Sequence, residues 1–289
     1  MKAAEFDYAR AADLDDVFRL LDGAHGEAKI IAGGQTLVPL LVMRLARPTL
    51  VIDINSVNEL SGIAADETGV CFGATTRQID ALESSSVARY APLLKKALAQ
   101  VGHPQTRNRG TIGGSLANAD PAAEIGLIAR TLDAEIEASS SAGARTIRAD
   151  SFFTGAMTTV LSPEECLTKI RFPVWQGRIG TAFEEMSNRR SDFALVAVAC
   201  QVALDKDGVC TRIALGIGGA EPVPARAHDA ETRLTGTRLE AGDINAALSN
   251  LQETLDPLSD VHASADYRRR VAASLAAKTI AAARDEARA

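Results

Sequence analysis

Apolar positions fall in short clusters along this chain, and their spacing predicts strands and helices in alternation. Phe6-Asp7-Tyr8 reads as a short strand. Leu14, Val17, Phe18 and Leu21 then share one helical face, with Asp13 as cap and Gly23 as stop. Lys29 to Ala32 is a buried strand, Val38 to Leu45 an amphipathic helix halted before Pro48, and Leu50 to Ile54 a second buried strand. Further on, Val70 to Ala74 reads as a strand, followed by helices over Thr76 to Leu82 and Tyr90 to Val101. A helix is predicted to open at Asp120-Pro121, and Ala134 to Ala138, Thr146 to Ala149 and Cys166 to Phe172 read as strands. From about Gly177 the texture changes. Three strands (Thr181 to Met186, Ala194 to Leu204, Val209 to Gly216) precede three helices (Ala225 to Leu234, Asp243 to Leu255, Ala265 to Ala287, the last capped by Ser264).

Composition narrows this picture. The 289 residues are more than one small core organises, so two or three packed units are expected. The formal net charge of −6 disfavours nucleic acid as a partner, since phosphate contacts need a basic face. Cys71, Cys166, Cys200 and Cys210 form no C-x-x-C pair, which disfavours an iron–sulfur cluster on this chain and fits a reducing cytoplasm. The N-terminal residues lack the apolar segment of a signal peptide, and no apolar run has the length of a membrane span. His25, His103, His228 and His262 are scattered, which disfavours a histidine metal site; His103 lies just before the second of two glycine-rich runs and can approach a ligand there.

Those runs carry the candidate chemistry: Ala32-Gly33-Gly34-Gln35-Thr36-Leu37 and Thr111-Ile112-Gly113-Gly114-Ser115-Leu116. Each is expected where a strand or loop passes into a helix. There, backbone N–H groups with little side-chain bulk nearby can hold a pyrophosphate without lysines. Thr36, Thr111 and Ser115 add hydroxyl donors, and Asn118, Asp120 and Glu124 follow within reach of sugar or phosphate groups. The plain alternatives are a strand-to-helix turn for the first run, a helix cap for Asp120 and a solvated acid for Glu124. No P-loop, G-x-S-x-G elbow or H-E-x-x-H motif occurs, and Gly216-Ile217-Gly218-Gly219 reads as a strand end.

The two runs, extended to Pro39-Leu40 and to Asn118-Ala119-Asp120-Pro121-Ala122-Ala123-Glu124, resemble the FAD-binding medium subunits of molybdenum hydroxylases. This is the carbon monoxide dehydrogenase and xanthine dehydrogenase family. The approach Val101 to Gly110 and the segment Arg189-Arg190-Ser191-Asp192-Phe193-Ala194 are also similar to it, and the resemblance runs in order along essentially the whole chain. It implies an α+β fold: a two-subdomain, PCMH-like FAD-binding domain over residues 1–176 (subdomains about 1–55 and 56–176), then a C-terminal α+β domain over 177–289. That second domain would hold a three-stranded antiparallel sheet and a helical bundle. It further implies FAD contacts from Ile31, Ala32, Gly33, Gly34, Gln35, Thr36 and Leu37, and from Thr111, Gly113, Gly114 and Ser115. Asn118, Asp120 and Glu124 would complete the phosphate–ribose side, with Glu124 in place of a family aspartate. Leu167 would lie against the cofactor, and Phe193 near the isoalloxazine, where relatives often have tyrosine. Gln35-Thr36 replaces the His-Ser of some relatives.

The function implied is an oxidoreductase subunit of a cytoplasmic complex. FAD on this chain would take electrons from [2Fe–2S] clusters on a small partner chain and pass them to a terminal acceptor. A large partner chain would hold the molybdopterin cofactor, in a dimer of heterotrimers (a heterohexamer). No catalytic acid, base or metal ligand is expected on this chain. A self-contained flavin oxidase or dehydrogenase is the second reading, and a non-catalytic module for another phosphorylated ligand is the third.

Overall fold

The computed structural model describes residues 2–189 and 191–289. Its first sheet is parallel and three-stranded, with Leu50–Asp53 between Asp7–Arg10 and Ala28–Ile31. The helix Leu14–Gly23 links the first two of these strands in chain order, and Asp13 caps it by accepting from the Asp16 amide. The chain turns not at Gly23 but at His25 and Gly26, both with positive φ.

A five-stranded sheet follows, ordered Ile63–Ala65, Gly69–Gly73, Cys166–Pro173, Glu135–Ser140, Gly143–Arg148, with every pairing antiparallel. Helices cover it, including Pro92–Leu98, Ile112–Asn118 and Glu124–Thr131. The third sheet comprises Arg178–Ser187, Ala194–Leu204 and Cys210–Gly218, with the two-residue edge strand Ala225–Arg226 added. All eleven residues of Ala194–Leu204 are buried, so this strand is a wall between two cores. Ala197 and Ala199 face the core of the first 175 residues; Val196, Val198, Cys200 and Val202 face the long helix Ala265–Arg288. That helix is alanine-rich because it lies so close: a Cβ at Gly180 would collide with the Ala283 carbonyl.

Several boundaries depart from expectation, each for a local reason. The helix expected over Tyr90 to Val101 runs only over Pro92–Leu98, and a separate helix, Ser85–Tyr90, precedes it, because Pro92 drives Ala91 out of helical backbone and opens a new first turn. The helix expected over Thr76 to Leu82 begins only at Gln78; the Thr75 and Thr76 hydroxyls donate to the Leu60 and Gly62 carbonyls. No helix opens at Asp120-Pro121. The Asp120 carboxylate takes the Ala122 amide in a tight turn, Gly219 donates to the Pro121 carbonyl, and the helix begins at Glu124. Ala225 to Leu234 divides into the edge strand and the helix His228–Leu234, and Asp243 to Leu255 into Ala241–Ala247 and Leu251–Thr254.

Among the described residues no helix is long and apolar enough to cross a membrane. The four cysteines are unpaired thiols.

Candidate functional site

The first glycine run leaves the strand Ala28–Ile31 and enters the helix Leu37–Val42. Gly34 has φ +71°, the left-handed region that glycine occupies at least cost. Among the described residues, the amides of Gly33, Gly34, Gln35 and Thr36 donate no hydrogen bond within the chain. The Gln35 side chain folds back on the Gly33 carbonyl at 3.1 Å, and the Thr36 hydroxyl makes no capping bond. Four amides and a hydroxyl therefore stand ready at one loop, a donor set that suits an anion.

The second run is built differently. It is no open loop: Thr111 caps the helix Ile112–Asn118, and both glycines sit in its first turn. The Ile112 amide donates to Thr76, Gly113 to Ala74, Gly114 to the Thr111 hydroxyl at 3.0 Å, and Ser115 to the Thr111 carbonyl. These amides are spent inside the protein. The glycines answer to packing instead, since a Cβ at Gly113 would meet Ala74 at 2.7 Å and one at Gly114 would meet the Thr111 hydroxyl at 2.6 Å. What remains for a ligand here is hydroxyl and amide side chains. Ser115 Oγ is unengaged among the described residues, and Asn118 makes only a 3.9 Å contact to the Met157 sulfur.

The two runs meet at the residues just before the second one. Gly33 lies so close to Arg109 and Gly110 that any side chain on it would strike the Arg109 carbonyl. A polar chain ties the junction. Asn55 Nδ2 donates to the Ala32 carbonyl at 2.9 Å, Arg77 Nη2 donates to Asn55 Oδ1 at 2.6 Å, and Arg77 Nη1 donates to the Arg109 carbonyl. Asn55 and Arg77 were missed in the sequence. Neither lies in a glycine run, and only their place at the ends of the elements flanking the junction marks them. His103 is exposed where the helix Pro104–Arg109 begins, and its side chain makes no capping bond.

Glu124 is not a solvated acid. It is 8% exposed, and burial, with Glu185 and Asp120 nearby, pushes its pKa up to about 8. Glu185 faces the same seam from the strand Arg178–Ser187; its Oε2 is buried without a hydrogen bond, and burial raises its pKa to about 7. Glu185 too was missed, although strand alternation puts it on one face with Phe183, which packs on the N-terminal core. Leu167 is buried in that core beside a bulge. Phe193 is 70% exposed in the connection between Arg178–Ser187 and Ala194–Leu204. Its neighbour Arg190 lies outside the described residues. Among the described residues no three His, Cys, Asp or Glu side chains gather as a metal site.

Comparison with known proteins shows the family and the fold. A family model described as the FAD binding domain in molybdopterin dehydrogenase matches residues 4–175, and one described as the CO dehydrogenase flavoprotein C-terminal domain matches residues 181–283. The 6-hydroxypseudooxynicotine dehydrogenase complex subunit alpha of Paenarthrobacter nicotinovorans is 38% identical over 100% of this chain and 97% of its own length. The carbon monoxide dehydrogenase medium chain of Afipia carboxidovorans is 31% identical over 100% of both chains. A solved structure of carbon monoxide dehydrogenase from Hydrogenophaga pseudoflava, lacking the Mo-pyranopterin moiety of its molybdenum cofactor, has a chain that matches with a TM-score of 0.95 at 30% identity, covering 99% of each chain. The chain belongs to the family that carries the FAD binding domain of molybdopterin dehydrogenases, completed by the CO dehydrogenase flavoprotein C-terminal domain.

Proposed function

We propose that this chain is the FAD-carrying electron-transfer subunit of a multi-subunit molybdenum hydroxylase. One observation carries the reading: a loop with four unengaged amides, Gly33 to Thr36, pressed against Arg109–Gly110 at the meeting of two sheets. Relatives described as a complex subunit and as a medium chain match end to end, which supports a subunit role over a self-contained oxidase.

The residues fit a pyrophosphate at the first loop. Gly33, Gly34, Gln35 and Thr36 would bind it through main-chain donors, with Ile31, Ala32 and Leu37 setting the loop's ends. Thr111 and Ser115 would offer hydroxyls, while Gly113 and Gly114 keep their helix close to Ala74 and to its cap. Asn118, Asp120 and Glu124 would serve the phosphate–ribose side. Glu124, holding its proton near neutral pH, would donate as well as accept. Leu167 and Phe193 would lie toward the ring. The chemistry a bound FAD supplies is reversible uptake and release of two electrons, so no acid or base on this chain is assigned to catalysis.

The partners of this reading are a small chain with [2Fe–2S] clusters and a large chain with the molybdopterin cofactor, as a dimer of heterotrimers. Domain limits near residue 176, with subdomains of about 1–55 and 56–176, accord with the sheets, because the parallel sheet falls in the first span and the five-stranded sheet in the second. Four unpaired thiols accord with a cytoplasmic setting. The test is purification of the complex from its native source. One FAD per copy of this chain, with iron and molybdenum on two co-eluting chains, is the expected result. Substrate oxidation by the pure single chain would establish the oxidase reading instead.

A further inference from the structure

Two carbonyl oxygens stand beside the unengaged amides of the first loop, those of Ala32 and Arg109. Each is a partial negative charge next to a donor set that suits an anion. Among the described residues no main-chain amide donates to either. Side chains cover them instead. Asn55 Nδ2 donates to the Ala32 carbonyl at 2.9 Å, and Arg77 Nη1 donates to the Arg109 carbonyl. Arg77 Nη2 donates to Asn55 Oδ1 at 2.6 Å, so one guanidinium reaches both sides of the junction. Asn55 is itself held. Its side-chain and main-chain N–H groups donate to Asp53 Oδ1 at 2.6 and 2.8 Å, while the Tyr8 hydroxyl donates to Asp53 Oδ2 at 2.6 Å. Asp53 is thereby engaged away from Arg77. The guanidinium is half-buried, its bonded partners are a neutral amide and a carbonyl, and among the described residues it forms no ion pair. Burial, then the charge of Arg109, pulls its pKa below the usual arginine value, against smaller opposing effects of Asp80 and Asp53. An arginine stays charged all the same.

We infer that Arg77, oriented by Asn55, is a positioning residue for FAD, which covers the two carbonyls behind the first loop and supplies the positive charge that balances the diphosphate. The inference rests on the reading of this chain as the flavin carrier. A half-buried cation that no acid pairs is costly, and an anion in the adjoining loop offsets that cost. Both Nη groups are spent on the protein, so Arg77 acts through the loop and through its field rather than by touching the phosphates. Gly33 transmits the contact, because it packs directly on the Arg109 carbonyl. The same arrangement answers how glycine runs that contain no lysine or arginine hold two phosphate charges.

The complex is purified, stripped of flavin and titrated with FAD at low and high KCl, with the dissociation constant read from flavin fluorescence. Arg77→Gln keeps a donor and removes the charge; Arg77→Lys keeps the charge and removes the planar fork. Glutamine should weaken FAD binding at least about tenfold, and lysine by no more than about threefold. The KCl dependence of binding should shrink with glutamine and persist with lysine. Asn55→Ala should weaken FAD less than Arg77→Gln, and the double variant should lose less than the two single losses combined. Full affinity in a folded Arg77→Gln overturns the inference. So do equal losses for glutamine and lysine, because a purely structural role needs the fork and not the charge. If Arg77→Gln fails to fold, Arg77→Lys decides: parental salt dependence with a small loss of affinity supports the inference, and a loss above about tenfold overturns it. FAD content of the unsubstituted complex tests the carrier reading by itself. A flavin-free parent refutes that reading, whereas a flavin-rich parent with an equally flavin-rich Arg77→Gln refutes only the role given to Arg77.

Discussion

Gly33 sits against the carbonyl of Arg109, with no room for a Cβ between them. The two residues lie far apart in sequence, yet their contact fixes where the first loop stands relative to the helix Ile112–Asn118. The colliding atom is main chain, which cannot swing aside as a long side chain would. Gly33→Ala should therefore cost about 1–3 kcal/mol of stability and lower FAD occupancy in the purified complex. Thermal unfolding with extracted-flavin quantification checks both. A variant as stable and as yellow as the parent would show that the junction has slack.

Thr111 governs the second run through its hydroxyl, which accepts from the Gly114 amide and caps the start of the helix. Thr111→Ala should destabilise by about 1 kcal/mol, within the usual range for a lost cap, and Thr111→Ser should recover most of it. Denaturant unfolding of the three proteins side by side measures this. Equal losses for alanine and serine would mean that the methyl group's packing, rather than the hydroxyl, matters at this position.

The second run marks the limit of local sequence pattern. Two glycines between Ile112 and Ser115 look like an open loop, because glycine is a poor helix former. Tertiary contact overrides that preference: Ala74 comes close enough that only glycine fits at 113, and the helix forms around the contact. The opening strands and helix were legible because their apolar spacing faces one core, and the three long C-terminal strands because short turns punctuate them. Asp120-Pro121 has the residues of a helix start but forms none, and the Gly219 amide, nearly a hundred residues away in sequence, claims the Pro121 carbonyl. Glu185 was invisible for a similar reason. Its burial is a property of the seam between two cores, and nothing near it in sequence announces the seam.

Glu124 and Glu185 make stability depend on pH in an unusual sense. Their pKa values are raised to about 8 and about 7, mainly by burial, above the ordinary value of 4.5. The folded protein thus holds protons that the unfolded chain has already released. Their favourable share is fully present below pH 4.5 and is lost as pH rises through about 7 to 8. The melting temperature should fall across that interval, and Glu124→Gln, which removes the buried charge while keeping the shape, should flatten the fall. Melts from pH 5 to pH 9 decide it. A parent profile that is level or rising over that range would refute the buried-proton account.

Arg226 joins the two cores. It is almost fully buried, gives Nε and Nη2 to the Glu231 carboxylate at 2.7 and 3.0 Å, and gives Nη1 to Asp133 at 2.9 Å. Glu231 also accepts from the Leu215 amide at 2.7 Å. Arg226→Met would leave Glu231 buried without its cation, at a cost of about 3–5 kcal/mol. Adding Glu231→Gln should return part of that loss, since the buried side chain at 231 then carries no unpaired charge. Urea unfolding of the single and double variants tests the coupling. Simple additivity would argue that the pair acts only by packing.

Phe193 offers the sharpest separation of stability from function. At 70% exposure it contributes little to the core, so Phe193→Ala should shift stability by no more than about 0.5 kcal/mol. If its ring lies toward the isoalloxazine, the same substitution removes an apolar surface from one side of the flavin and admits water there. Phe193→Tyr restores that surface and adds a hydroxyl donor. The flavin absorption maxima and midpoint potential of the complex should then move with alanine, and move differently with tyrosine, while the unfolding curves coincide. Spectra and potentials identical in all three proteins would place Phe193 away from the ring and leave its exposed face to a partner chain.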